Sequence, residues 1–279
     1  MSGTALVSRK VCCNVIISFE LRKGNSMKLW YDNPAYINEL FRHDEVYFMW
    51  ALLFLKQNNI PKDAIILDVG AGVGSLVKVL RQFGFKNAYG VEINETLVNV
   101  GKERLGLEGA LFTQKEFESH VEKYDVVISY TVAEHVDDIG EFIDYKLKFL
   151  KDDGYFYLYA PDYHRPRMYK NIIIDKIKGK KLHLTPFTEG GVCRSIYMFL
   201  KITFFCISKR IIKKPYMLKV VPLPPEVSVS ADADATWCCS YLDIKNFFYA
   251  NRKEFKFDRL DCFGSFAGRV YKQKTINKS

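Results

Sequence analysis

Between residues 64 and 160 the chain alternates short apolar runs with helix-length amphipathic stretches, and this rhythm constrains the fold more than any other feature. Residues 64–69 (AIILDV) are apolar, too few for a helix, and bounded by Pro61-Lys62-Asp63 and by glycines. They are predicted as a strand buried on both faces. Residues 76–83 read as a helix stopped at Gly84, 88–93 as a strand, 95–104 as a helix and 109–113 as a short third strand. Residues 124–129 (YDVVIS) form a fourth strand. A helix over 138–150, closed by Asp153-Gly154, leads to a fifth strand at 155–160, ended by Pro161. Strands separated by helices pair in parallel through crossovers, so an α/β fold around a mostly parallel sheet is expected.

The flanks break this rhythm. Residues 36–58 carry apolar positions at helical spacing and are predicted as one helix before Pro61. Residues 162–240 read as an inserted cap holding a basic segment, the apolar run 195–208 and a Pro-rich turn at 221–225. A helix at 242–251 and two strands, 255–263 and 266–273, then complete the sheet as an antiparallel hairpin around Gly264. The expected organisation is a leader (1–26), a core (27–161), the cap (162–240) and a C-terminal part (241–279). In the leader, Arg9-Lys10 and the apolar residues 11–19 are followed by Glu20-Leu21-Arg22-Lys23 rather than by a cleavage site. It reads as a frayed leader, or as an over-long start with Met27 as the first residue.

The first strand runs into Leu67-Asp68-Val69-Gly70-Ala71-Gly72-Val73-Gly74-Ser75. Small residues let such a turn approach a ligand closely. Glu92 ends the second strand, 22 positions after Gly70, where an acid can take both hydroxyls of a ribose. The glycines run G-x-G-x-G, and Ser75 stands where a dinucleotide loop has its third glycine. Asp68 would repel a pyrophosphate and attract a cationic amino-acid head group.

LDVGAGVGS, GVEIN, YDVVISYTVAEHV and GYFYLYAPD, in that order over about residues 60–162, resemble the motif set of class I S-adenosylmethionine-dependent methyltransferases. The resemblance implies a Rossmann-like methyltransferase fold with a seven-stranded sheet, and S-adenosyl-L-methionine as cofactor. It assigns the methionine end to Asp68, Gly70, Ala71, Gly72 and Gly74, and the ribose to Glu92 with Ile93 beside it. Ser129 and Tyr130 fall at the cofactor edge of the fourth strand. The family's adenine-binding Asp after the third strand is missing, and Thr113 or Gln114 takes its place.

Methyl transfer to a hydroxyl needs alignment and a proton acceptor at the carboxyl edge of the sheet. Glu134-His135 and Asp162 with His164 lie there. The Glu-His pair resembles the same position in small-molecule methyltransferases of quinone and glycan pathways. His135 is a base or a pocket-lining residue, with Glu134 and His164 as further catalytic candidates. Asp232 and Asp234 read as a solvated loop, or as a site for a polyol or a cation. Seven scattered cysteines without a CxxC pair offer no zinc site and suit a reducing cytoplasm. No other cluster has metal-ligand spacing.

The net charge of +9 is uneven: residues 164–219 hold 14 basic and 2 acidic residues, a net of +12, which leaves −3 for the remainder. An anionic partner is expected at that stretch. The candidates are a lipid-linked anionic glycan at a membrane surface, a nucleic acid, or solvent alone. The run 195–208 is shorter than the roughly 20 residues a bilayer span needs and is interrupted by Lys201, so a buried or interfacial helix is expected. Ser129-Tyr130-Thr131-Val132 lacks the tetrad of nucleic-acid amino-group methyltransferases, which argues against a nucleic acid. The layout around Asp234 and the following helix resembles methyltransferases of surface-polysaccharide synthesis. The expected function is O-methylation of a sugar or other small hydroxyl compound in the cytoplasm or at the inner membrane face; the alternatives are RNA or protein methylation and a non-catalytic binding module.

Overall fold

The computed structural model describes residues 30–272, except 32, 118–122, 183–184, 213–217, 225, 229–232, 253 and 262–264. The leader 1–26, Lys213, Lys214, Asp232 and Gly264 lie outside the described residues.

In chain order the elements are α1 (Pro34–Leu40), α2 (Met49–Gln57), β1 (Ile66–Val69), α3 (Ser75–Gln82), β2 (Ala88–Glu92), α4 (Glu95–Leu105), β3 (Leu111–Thr113) and α5 (Gln114–Phe117). There follow β4 (Tyr124–Tyr130), a 3₁₀ turn (Ala133–His135), α6 (Ile139–Leu147), β5 (Leu150–Pro161), α7 (Pro166–Ile177) and α8 (Val192–Ile212). The chain ends with α9 (Tyr241–Asn251), β6 (Phe255–Asp261) and β7 (Ser265–Lys272). The strands form one sheet in the order β3-β2-β1-β4-β5-β7-β6. The first five pair in parallel, and β7 runs antiparallel between β5 and β6. The mostly parallel seven-stranded α/β sheet is thus as the sequence led one to expect.

Both faces of the sheet are covered. On one, Leu67, Val69, Val127, Phe156 and Leu158 pack with Phe142 and Ile143 of α6 and Phe247 and Phe248 of α9. On the other, Ile66, Val126, Ile128 and Tyr157 pack with Phe54 of α2 and Leu76 and Leu80 of α3. Alternate residues of each strand feed opposite clusters, the period of two that a pleated strand dictates. Each such fully buried side chain contributes about 1.5–3 kcal/mol.

Three element boundaries differ from the sequence reading. The helix expected over 36–58 is two helices, because the Asp44 carboxylate accepts from the Val46 and Tyr47 amides at 3.0 and 3.2 Å and restarts the chain. This is the side-chain competition that makes Asp a helix starter rather than an interior residue. The helix expected to reach 150 ends at Leu147, and β5 begins at Leu150, pairing with Tyr124 before a register shift. At its far end β5 includes Pro161, which pairs with Ser265 of β7.

The segment 30–48 folds over the carboxyl edge of β1. Ser75 Oγ donates to the Leu40 carbonyl at 2.9 Å, and Tyr130 Oη donates to the Tyr47 carbonyl at 2.6 Å. After β5 the chain builds α7 and α8, then returns through residues 218–239, where Lys219 bridges to Trp237. The Trp237 indole donates to the Ala133 carbonyl at 2.5 Å, and Thr236 N to the Glu134 carbonyl at 3.0 Å. The returning segment is therefore laid along the 3₁₀ turn.

Candidate active site

A cavity of about 250 Å³ opens at the carboxyl ends of β1, β2 and β4, the edge where ligands bind in open parallel sheets. Its floor is the glycine loop. Gly70 has φ +86°, and a Cβ there would meet the Val132 side chain at 2.7 Å, so only glycine brings the backbone into this turn. Gly74, at φ +83°, is the N-cap of α3 and faces Leu107 and Leu111 rather than the cavity.

Asp68, Gly70, Ala71, Gly72, Glu92, Ile93, Gln114, Tyr130 and His135 all line the cavity. The Glu92 carboxylate accepts from Gly72 N and Asn94 N, each at 3.0 Å. The bond from Gly72 ties the glycine loop to the end of β2, and the bond from Asn94 fixes the start of α4 beside it.

Asp68 is buried, and burial raises its carboxyl to about 7; Lys146 opposes that rise and Glu92 adds to it. Lys146 is a cavity residue that the motif reading missed. It is fully buried on α6, donates to the Val69 carbonyl at 3.3 Å and lies 3.8 Å from the centre of the Phe142 ring. Burial lowers its ammonium to about 7, against the pull of Asp68 and Glu92. Its signal in the sequence is a lysine in register with Ile139, Phe142 and Ile143 on the inward face of an amphipathic helix.

At the third strand the structure separates the two adenine candidates. Thr113 and Glu116 form a reciprocal cap: Thr113 N donates to Glu116 Oε2 at 2.7 Å, and Glu116 N to Thr113 Oγ1 at 3.2 Å. Thr113 is thus occupied and outside the cavity wall, while Gln114 lines it.

Beyond β4, Thr131 takes φ +53°, a strained value for a β-branched residue, on the cavity wall. His135 stands on the following 3₁₀ turn, with Nδ1 3.4 Å from Asp234 Oδ1 and Nε2 3.7 Å from Glu134 Oε1. Asp234 is buried and lines the cavity, rather than lying in a solvated loop. Glu134 is fully buried behind His135 and outside the wall, and Ser129 is buried within the sheet.

His164 is placed elsewhere. Its Nδ1 lies 2.8 Å from Lys209 Nζ of α8, which in turn reaches Asp243 Oδ2 of α9 at 2.5 Å. Burial, reinforced by Lys209, lowers the imidazole to about 3. With Lys209 as an ammonium, His164 is a neutral acceptor in a polar lock between helices. Asp162 accepts from His164 N and Arg165 Nε, both at 3.3 Å, and is likewise outside the wall.

The remaining wall is aromatic: Tyr31, Tyr36, His43 and Tyr47 come from the covering segment. His43 stacks on Tyr47 at 3.7 Å, and Tyr130 on Tyr159 at 4.2 Å. Burial, with Glu92 and Asp234 nearby, raises the Tyr31 and Tyr36 phenols well above their usual range, so both stay protonated. These residues precede the glycine loop, where no motif marks them. Among the described residues no group of three or more His, Cys, Asp or Glu side chains is placed to hold a metal ion.

A family model described as a methyltransferase domain matches residues 41–189. A ubiquinone biosynthesis O-methyltransferase from Bartonella tribocorum is 30% identical over 98 residues, covering 33% of this chain and 39% of that protein. A protein of the same name from Hydrogenovibrio crunogenus is 26% identical over 145 residues, covering 50% and 58%. The matches thus span less than two thirds of the curated relatives' own lengths. Among solved structures, the magnesium protoporphyrin IX methyltransferase from Synechocystis, with bound SAH, aligns at 15% identity and a TM-score of 0.48 over 94% of this chain and 99% of that one.

Proposed function

The chain belongs to the methyltransferase domain family, and we propose that it moves the methyl group of S-adenosylmethionine onto a hydroxyl of a small ring compound. The residues of the cavity suit that donor. The turn at Gly70, which packs against Val132 too closely for any side chain, brings bare backbone to the cavity wall, and a buried carboxylate, Asp68, lies beside it. Asp68 takes the ammonium of the methionine part, Lys146 its carboxylate, Glu92 the ribose hydroxyls and Gln114 the adenine edge. The donor supplies a methyl group on a positively charged sulfur, which leaves as a neutral thioether.

The observation that carries the acceptor assignment is His135 on the cavity wall with carboxylates near both ring nitrogens. His135 takes the proton of the acceptor hydroxyl as the new C–O bond forms. Glu134 and Asp234 orient the ring and balance the charge it gains. The tyrosines and His43 enclose the acceptor, exclude water and offer flat faces to a ring. Sugars and phenols both have a face and a hydroxyl of this kind, and two relatives are named as O-methyltransferases of ubiquinone biosynthesis.

The test is transfer of radiolabelled methyl from S-adenosylmethionine to a panel of sugars, lipid-linked glycans, phenols and RNA. Labelling of a sugar or phenol at oxygen supports the reading. Labelling of RNA alone overturns it.

A further inference from the structure

Helix α8 packs Ile202, Met198, Phe199 and Phe205 against the core and carries a second apolar side outward. Over its 21 residues the buried positions are Ser195, Ile202 and Lys209, one narrow stripe seven residues apart. Lys209 is held inside by Asp243 and His164, and Asn246 Nδ2 donates to its carbonyl at 3.2 Å. On the opposite side Tyr197, Leu200, Phe204, Ile207 and Ile211 follow one another at steps of three and four. All five are exposed, Phe204 by 66% and Ile211 by 74%. A helix of a water-facing surface carries polar residues on this outer face. On the helical wheel Arg194 and Lys201 flank this seam on one edge and Arg210 on the other. Ile177, Lys178, Lys180 and Lys181, at and beyond the end of the neighbouring α7, are exposed as well.

We propose that α8 lies flat on an anionic lipid surface, its seam sunk among the acyl chains and its basic shoulders against the headgroups. The charge selects this occupant. Residues 164–219 carry 14 basic residues against 2 acidic, and Asp175 and Glu189 are each paired locally, with Lys180 and Arg194. A second copy would bring like charge to like charge, without the acidic flanking positions that steer helices into a coiled coil. A lipid surface of opposite sign satisfies both the seam and its shoulders. At 1.5 Å per residue the helix is about 30 Å long, and no helix among the described residues is long and apolar enough to cross a membrane. The inference is independent of the transfer reaction.

The test uses the full chain and two vesicle types, phosphatidylcholine alone and phosphatidylcholine mixed with phosphatidylglycerol, read by co-flotation. The wild type floats with the anionic vesicles, and salt releases it. The triple variant Leu200→Ser/Phe204→Ser/Ile207→Ser loses that binding by about tenfold or more while S-adenosylhomocysteine binding, measured by calorimetry, is unchanged. No flotation of the wild type, or equal flotation of the variant, overturns the proposal. So does a concentration-dependent dimer that the variant abolishes, which would give the seam to a second copy.

Discussion

Nδ1 of His135 stands 3.4 Å from Oδ1 of Asp234, a residue delivered by the segment that returns after α8. The pairing joins the edge of the cofactor core to the segment after the inserted helices. It exists because Trp237 and Thr236 bond to carbonyls of the 3₁₀ turn. His135→Ala should lower kcat by about 10²–10⁴-fold and leave S-adenosylhomocysteine binding intact. Asp234→Asn should lower kcat less and shift the acid limb of the pH profile of kcat/KM toward lower pH, since it removes a charge that favours the protonated ring. Steady-state kinetics against pH checks both; full activity in His135→Ala ends its candidacy as base.

Lys146 and Asp68 should make donor binding pH-dependent. Both groups are buried and both are brought to about 7. Asp68 must be ionised to take an ammonium, so affinity should fall as pH drops from 7 to 5. In Lys146→Met the fall should begin at higher pH, because the lysine's charge holds the Asp68 carboxyl down. The same variant should narrow the discrimination between S-adenosylmethionine and its decarboxylated analogue. Calorimetry across pH reads all three effects.

The same lysine should cost the empty fold stability. Its folded pKa lies below the unfolded value of 10.5, so the folded state binds fewer protons between those two values, and stability rises with pH across that window. At pH 7 nearly the full cost is present. Lys146→Met should therefore raise the melting temperature at pH 7 while weakening donor binding, the usual opposition of stability and function at a site. A lower melting temperature in the variant would count against this reading.

The lock at α8 and α9 behaves differently, because its charges are joined. Asp243→Asn leaves Lys209 buried without its carboxylate and should destabilise by about 3–5 kcal/mol, the range for breaking a buried pair, read by urea unfolding. Where His164 serves the lock, His164→Gln should retain methyl transfer once folded, since the ring faces α8 and not the cavity.

The glycine-loop half of the cavity was legible in the sequence because its residues are local. Asp68, Gly70, Gly72 and Glu92 sit at strand ends fixed by short apolar runs, and the sheet brings them to one edge without help from distant segments. Lys146 was hidden because an inward lysine is recognised only when the helix face packed on the sheet is known. Asp234 was hidden because a return of 73 residues after Pro161 places it. His164 looked catalytic from its position after the fifth strand, yet the chain turns there beneath α8, and the Cys206 thiol donates to its carbonyl at 2.9 Å. The split comes from a turn at Asp44, whose carboxylate takes two backbone amides and so interrupts a continuous apolar pattern.

Calorimetric titration of the purified chain with S-adenosylhomocysteine, beside NAD, tests the donor site most directly. Saturable one-to-one binding of the former, lost in Asp68→Ala and in Glu92→Ala, is the expected result. Uptake of NAD by a folded protein that ignores S-adenosylhomocysteine would contradict it.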